Sequence, residues 1–297
     1  MPTINEADHV YLSPHLDDAV LSCGGLIYRQ ARAGERVAVV TIFAGDPPRG
    51  AALSNFAREL HARWQAANPA AARREEDVQA LTALHPGVVA HHLPLPECLY
   101  RRDPATGSAL YASEEALFGE VHPDDPALLA LQTPLAIPPG ACLYAPLGVG
   151  HHVDHQIVRR AVAAWGVEAH YYEEYPYTVG EHQGGVSRSG GERAVPEPPS
   201  GPSGHLPPCK GEGRDRGSTH NITALRPEPG AESHPEAAPP GWRRETMPPD
   251  PDALAAKRRA IACYASQIST FWESLEAMAC AIAAYEERVW HPPSKDR

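Results

Sequence analysis

Long apolar runs, basic charge and targeting signals are scarce in this 297-residue chain. No stretch approaches the ~20 apolar residues of a membrane-spanning helix, and the N-terminus lacks the basic and apolar regions of a secretory signal. The 26 lysines and arginines against 37 acidic residues leave a formal charge of −11. This charge disfavours nucleic acids and anionic membranes, because phosphates attract basic surfaces. We therefore expect a cytoplasmic protein with no nucleic-acid partner and no membrane span.

Paired cysteines and nucleotide-binding glycines are also absent. The six cysteines are widely scattered, with no C-x-x-C motif and no spacing typical of a disulfide framework, so we expect reduced thiols. No G-x-G-x-x-G motif occurs. The pair Gly24-Gly25 is therefore interpreted as a place where a helix packs closely on a sheet, not as a phosphate loop.

Short apolar runs alternate with helical patterns along most of the chain. Residues 9–13 and 37–43 are typical of buried strands, and the helix predicted between them makes a crossover unit with parallel strands. The same alternation continues with strands predicted at residues 88–93, 142–145 and 169–172 and helices within 56–84 and at about 152–165. The order of elements indicates an α/β fold with a mainly parallel sheet flanked by helices.

The composition changes between residues 181 and 245. These 65 residues contain 11 prolines and 11 glycines but only six large apolar side chains. Such a segment cannot bury enough surface to offset the entropy lost on ordering, so we predict a low-complexity, disordered insertion. Residues 1–180 and 246–297 would then form a single domain, in which one broken helix or two over residues 250–289 pack back on the sheet.

Two clusters of histidine and aspartate follow predicted strands. Ser13-Pro14-His15-Leu16-Asp17-Asp18 comes after the first strand, and Gly150-His151-His152-Val153-Asp154-His155 comes after the strand at 142–145. Loops at the carboxyl ends of parallel strands meet at one edge of the sheet, where ligands collect. His15, Asp18 and His155 can then supply two imidazoles and one carboxylate to one metal ion, and three protein ligands with an open position are the pattern of catalytic zinc.

The neighbouring residues suit hydrolysis at such a metal. Asp17, beside Asp18, can accept a proton from water. His152 lies three residues before His155 on the same helix face and, when protonated, can stabilise an oxyanion and pass a proton to a leaving amine. Asp154 can orient a histidine from behind.

The paired motifs His-x-Asp-Asp and His-x-Asp-His resemble the PIG-L (LmbE-like) family of zinc-dependent de-N-acetylases. The resemblance extends to residues 13–25, 148–155, 172–177 and 257–267. It implies a Rossmann-like, three-layer α/β/α catalytic domain. It also implies Zn²⁺ held by His15, Asp18 and His155, with Asp17 as general base, His152 as the oxyanion-stabilising or acid residue and Asp154 in support.

Several positions depart from the family pattern or compete with it. A tyrosine lies two residues before the His-x-Asp-His motif in some members, but Gly150 occupies that position here. No residue that could replace the tyrosine can be identified from the sequence. The family's Arg-x-x-Glu helix pattern matches Arg73 best, which makes this arginine a candidate substrate contact. The literal H-P-D-D at His122-Pro123-Asp124-Asp125 lacks a preceding strand, and is interpreted as a helix start.

Two alternatives remain open beside the hydrolase. Two histidines and one carboxylate are also the ligands of non-haem iron oxygenases, and a degenerate carbohydrate-binding protein would keep the pocket without catalysis. The adjacent base Asp17 favours hydrolysis. We therefore expect a bacterial, cytoplasmic zinc amidohydrolase that removes an N-acetyl (N-acyl) group from a small amino-sugar conjugate, such as an N-acetylglucosamine derivative.

Overall fold

The strands in the described part of the chain form one seven-stranded mixed sheet. The computed structural model describes residues 4–48, 50, 53–64, 69–178 and 241–293. The strand order is β3-β2-β1-β4-β5-β7-β6; the first five strands are parallel, whereas β7 is antiparallel to both β5 and β6. In chain order the strands are β1 His9–Ser13, β2 Val37–Thr41, β3 Val89–His92, β4 Cys142–Pro146, β5 His170–Tyr172, β6 Arg243–Thr246 and β7 Arg288–His291.

Helices cover both faces of this sheet. They are α1 Asp18–Arg32, α2 Asn55–Trp64, α3 Pro69–Leu84, α4 Glu114–Leu117, α5 Pro126–Ala130, α6 Val153–Trp165, α7 Pro251–Ile261, α8 Ala265–Phe271 and α9 Leu275–Ala284. Alternate strand residues point to opposite faces, so Val10 and Leu12 of β1 enter the core under α6, whereas Tyr11 enters the core under α1 and α7. The architecture is the three-layer α/β/α arrangement that the sequence predicts.

The strand order places a switch point beside β1. The chain leaves β1 toward β2 on one side, and β4 later pairs with β1 on the other. Crossovers on the two sides of such a point diverge and leave a crevice at the carboxyl ends of the strands. Both predicted histidine and aspartate clusters follow these two strands.

The glycine pair of α1 packs closely, but against a different neighbour from the one predicted. A Cβ on Gly24 would meet Lys257 of α7 at 3.0 Å, and one on Gly25 would meet Glu287 Oε1 at 3.0 Å. Glu287 accepts hydrogen bonds from the backbone N–H groups of Gly25 and Leu26 and pairs with Lys257 Nζ at 2.7 Å. The glycines therefore join α1 to the C-terminal segment, not to the sheet.

The C-terminal segment has more elements than its sequence pattern predicts. Residues 250–289 contain three helices and the start of β7, where one broken helix or two are predicted. The helix start is confirmed, since the Asp250 carboxylate accepts from the N–H groups of Asp252 and Ala253.

The predicted insertion over residues 181–245 lies outside the described residues except for 241–245, which lead into and begin β6. No helix in the described part of the chain is both long and apolar enough to cross a bilayer.

Candidate active site

The loop after β1 is shaped by its own polar groups. The Ser13 hydroxyl donates to the His15 carbonyl at 2.6 Å and accepts from the Ala19 N–H at 3.0 Å. Asp18 Oδ2 accepts the backbone N–H of His15 at 2.8 Å. These bonds turn the chain from strand into helix and aim His15, Asp17 and Asp18 at the crevice beside β4.

Three ligand atoms converge at the switch point. His15 Nδ1 and His155 Nε2 each lie 3.2 Å from Asp18 Oδ2. Tetrahedral zinc with ligand bonds of about 2.1 Å would separate its ligand atoms by about 3.4 Å, so this spacing fits one shared ion. His155 Nε2 is buried and has no hydrogen-bond partner among the described residues, which also suits a metal ligand.

Each of these imidazoles has a carboxylate behind it. His15 Nε2 lies 2.9 Å from Asp154 Oδ2, and His155 Nδ1 lies 3.1 Å from Glu174 Oε1. A carboxylate in this position fixes the ring orientation and leaves the other nitrogen free to bind metal. Asp154 therefore lies where its predicted supporting role requires. Burial opposes ionisation of Asp18, but the two imidazoles outweigh it and hold the pKa of Asp18 well below its usual range.

Glu174 is a site residue that the sequence reasoning did not identify. It is fully buried just after β5, and its carboxylate also accepts from the N–H groups of Gly148 and Val149 at 2.7 and 3.3 Å. It thus holds the loop after β4 as well as His155. The available signal was an acidic pair directly after a strand, within the segment at residues 172–177.

Asp17 is buried beside the three ligand atoms. Its Oδ2 has no hydrogen-bond partner in the described part of the chain. Burial raises the pKa of Asp17 to about 7; Arg73 opposes this shift, and the adjacent Asp18 adds to it. A carboxylate with a pKa near neutrality can both take and return a proton.

Arg73 lies beneath the site in a buried ion pair. It contacts Glu97 Oε1 at 2.5 Å and lies 3.8 Å from Asp17 Oδ1. Only 6% of the residue is exposed. This position links Arg73 to Asp17, and its contact with substrate stays a prediction.

His152 differs from its predicted protonation state. It is the residue before α6, and its Nδ1 accepts the N–H of Asp154 at 3.2 Å. An accepting Nδ1 places the ring proton on Nε2. Burial and the nearby His15 also hold the pKa of His152 well below its usual range. The imidazole is therefore a neutral N–H donor, and its ring centroid lies 4.8 Å from that of His15.

An aromatic ring occupies the space beside Gly150. Gly150 has φ of +85°, and a Cβ there would overlap the ring of Tyr177. Tyr177 in turn packs edge-on against His155, with the ring centroids 5.8 Å apart. A tyrosine at position 150 would not fit this arrangement, and a tyrosine from the segment after β5 lines the same region instead.

Within the described ranges, the second H-P-D-D sequence joins no group of metal-ligating side chains. Asp125 precedes α5 and accepts the N–H of Ala127 at 2.9 Å, which confirms the predicted helix start. No cluster of metal-ligating side chains within the described ranges includes His122. Besides the set of His15, Asp18 and His155, ligand atoms also lie close together in two overlapping groups there: His15 with His152 and His155, and Cys98 with His152 and Asp154.

Comparison with known proteins agrees with this geometry. The PIG-L family model, described as GlcNAc-PI de-N-acetylase, matches residues 10–165. The chain belongs to the PIG-L family. The match spans β1 to α6 and therefore contains both histidine and aspartate clusters, which confirms the resemblance seen in the sequence.

Individual relatives of this PIG-L protein are deacetylases. A 2'-N-acetylparomamine deacetylase of Niallia circulans is 28% identical over an alignment of 186 residues that covers 57% of this chain and 66% of that protein. The chain thus matches just under two thirds of that relative's length.

Solved structures of two deacetylases share the fold. The zinc-inhibited form of teicoplanin deacetylase has a TM-score of 0.60 at 21% identity, covering 97% of this chain and 99% of the other. The A40926 pseudoaglycone deacetylase has a TM-score of 0.53 at 22% identity, covering 96% and 97%. These likenesses confirm the predicted three-layer α/β/α fold.

Proposed function

We propose that this protein is a zinc-dependent hydrolase that removes an N-acetyl (N-acyl) group from an amino-sugar conjugate. The observation that carries the proposal is the convergence of His15 Nδ1, His155 Nε2 and Asp18 Oδ2 beside the buried carboxylate of Asp17. Membership of the PIG-L family supports the same reaction. The named relatives act on 2'-N-acetylparomamine, teicoplanin and the A40926 pseudoaglycone, which supports an N-acylated amino sugar carried on a larger group.

His15, Asp18 and His155 would hold the metal. Two imidazole nitrogens and one carboxylate oxygen form a donor set that zinc accepts readily, and the remaining position stays open. When bound, Zn²⁺ polarises an amide carbonyl and lowers the pKa of a coordinated water to about 7.

The protein's own groups would complete the reaction. Asp17 would take a proton from the attacking water as the new C–O bond forms. The Nε2–H of His152 would donate a hydrogen bond to the oxygen that gains charge. When the C–N bond breaks, the proton held by Asp17 would pass to the leaving amine, so the products are a carboxylate and a free amino sugar. Arg73 would contact substrate or fix Asp17 from below.

We also propose that the enzyme has a single catalytic domain and a bacterial, cytoplasmic setting. Residues 1–180 and 246–297 would form one catalytic domain interrupted by the insertion at 181–245. A cytoplasmic location is supported by the unpaired thiols of Cys23, Cys98, Cys142 and Cys263, and a bacterial source by the relative from Niallia circulans.

The test begins with metal analysis of protein purified without air. Zinc is expected, together with acetate release from a panel of N-acetylglucosamine conjugates. Iron with substrate-dependent oxygen uptake would favour an oxygenase instead, because the same ligands serve non-haem iron. Metal without any turnover on the panel would favour a binding protein.

The variant Asp17→Asn tests the catalytic role directly. It should retain zinc and lose about 10²–10⁴-fold in turnover, the usual contribution of a positioned general base. Asp124→Asn is the matched control, because this aspartate of the second H-P-D-D sequence has a side chain that is 71% exposed. Full turnover by zinc-loaded Asp17→Asn would refute the mechanism.

A further inference from the structure

Arg101 is a buried arginine in the irregular segment between β3 and β4. It follows the short 3-10 helix Cys98–Tyr100 and is only 2% exposed. Its guanidinium lies over the ring of Phe43 at 4.8 Å and near that of Tyr111 at 5.5 Å. A side chain enclosed in this way cannot reach a substrate, so its role must act through its neighbours.

Those neighbours are two carboxylates that are themselves fully buried. Arg101 Nε donates to Asp125 at 2.9 Å, and Arg101 Nη2 lies 2.5 Å from Asp154 Oδ1, an ion-pair contact with poor hydrogen-bond alignment. Asp125 also accepts from the Tyr111 hydroxyl at 2.8 Å. The second H-P-D-D sequence is therefore connected to the active site by the contacts of Arg101 with Asp125 and Asp154.

Asp154 connects this pair to the metal-ligand set. Its Oδ1 faces Arg101, while its Oδ2 accepts the N–H of Cys98 at 3.1 Å and lies 2.9 Å from His15 Nε2. The carboxylate is thus held on both oxygens. If the guanidinium were removed, Asp154 could rotate about its χ2 angle, and His15 would lose the contact that orients its ring.

We propose that Arg101 is a positioning residue that, through Asp154, holds His15 in the orientation needed to bind metal, with Asp125 as the outer anchor of Arg101. This inference rests on the proposed function, because it assumes that His15 is a metal ligand. It assigns a role in the site to the irregular segment and to Asp125. Outer partners of metal-binding histidines typically change metal affinity by about 10–100-fold when they are mutated.

The test compares Arg101→Met with Arg102→Met. Arg102 is the adjacent arginine of the same segment, and its Nη1 donates to the Gly107 carbonyl in a surface turn. Co²⁺ is the probe, because its visible absorption reports the ligands and their geometry. Arg101→Met should bind Co²⁺ at least 10-fold more weakly than the wild type, with a changed absorption band. Arg102→Met should match the wild type in both.

Two gentler variants cover the case in which Arg101→Met does not fold. Arg101→Lys keeps the charge but not the planar fork, so it should restore part of the Co²⁺ affinity. Asp125→Asn keeps Arg101 and removes only its outer anchor, so it should give a smaller loss in the same direction.

The outcomes separate the inference from the proposed function. A wild-type protein that binds no Co²⁺ or Zn²⁺ would overturn both. In a second outcome, the wild type binds metal, and Arg101→Lys, Asp125→Asn and any folded Arg101→Met keep the wild-type affinity and absorption. This result would overturn the role of Arg101 alone. Graded losses in these three variants, with Arg102→Met unchanged, would support it.

Discussion

Replacing Glu174 by glutamine separates the carboxylate behind His155 from the shape of the side chain. The Glu174 carboxylate receives three N–H groups in a fully buried place: those of Gly148, Val149 and the imidazole of His155. Glutamine has the same size but offers one acceptor oxygen and an NH₂ group. One of the three donors must then face another donor.

The magnitude follows from that mismatch. Leaving one buried donor unsatisfied costs about 1–3 kcal/mol. In a domain of this size each 1 kcal/mol lowers the melting temperature by about 2–4 °C, so the melting temperature should fall by about 2–12 °C. Because His155 also loses an anionic partner, zinc affinity should fall by about 10–100-fold.

Glu173→Gln is the matched control for this prediction. Glu173 is the adjacent glutamate and is also buried, but its carboxylate contacts Trp290 Nε1 at 2.9 Å and Arg288 Nη1 at 3.3 Å, not His155. Thermal melts and chelator competition for zinc should show two destabilised variants, of which only Glu174→Gln binds zinc weakly. Wild-type zinc affinity in Glu174→Gln, or equal losses in both variants, would refute the reasoning.

Three other substitutions test the packing around the site. Gly150→Ala should destabilise the protein more than Gly148→Ala in urea titrations, because both have φ near +85° but only Gly150 abuts an aromatic ring. Overpacking adds about 1–3 kcal/mol, and equal losses would contradict it. Lys257→Met should cost about 3–5 kcal/mol, since it leaves the buried Glu287 carboxylate without its cation; a loss below 1 kcal/mol in the same titrations would argue against this. Burial lowers the pKa of His170 to about 4 in the folded protein, whereas its ordinary pKa is about 6.5. Below pH 6.5 the unfolded chain therefore binds more protons at this residue than the folded protein does. The contribution of neutral His170 to the stability is therefore complete above about pH 6.5 and is lost as the pH falls toward 4. His170→Phe should therefore make the melting temperature depend less on pH between about pH 4 and 6.5. An unchanged slope of melting temperature against pH would exclude His170 as the cause of that dependence.

The inner part of the site could be predicted from the sequence because it follows from topology. His15 and Asp154 are 139 residues apart, yet their side chains meet. Each follows a short apolar run, and parallel strands bring their carboxyl ends to one edge of the sheet. The alternation of apolar strand runs with helical patterns, together with the rule that ligands collect at the carboxyl ends of parallel strands, was therefore enough to place the histidines and aspartates together.

The outer part could not be predicted in this way. Arg101 and Asp125 lie in a segment with little regular structure, where no periodicity indicates which side chains turn inward. Glu174 follows a strand, but its burial depends on the loop at Gly148, which the sequence does not position. The chemistry favours a protonated His152, whereas at the start of α6 its Nδ1 accepts the Asp154 N–H.

The balance of buried charge supports a divalent cation more strongly than any single residue does. Among the described residues, six buried carboxylates line or support the site, against two buried guanidinium groups; the groups are Asp17, Asp18, Glu97, Asp125, Asp154, Glu174, Arg73 and Arg101. Burial opposes protonation of His15 and His155, but the neighbouring carboxylates raise the pKa of His15 well above its usual range and that of His155 to about 9, so these rings carry offsetting positive charge when no metal is bound. Buried charges persist only when they are paired, hydrogen-bonded or bound to metal. The two arginines face Glu97, Asp125, Asp154 and one side of Asp17. Asp18 therefore has only imidazoles beside it, and a divalent cation bound between those rings would take the place of the protons that His15 and His155 otherwise hold.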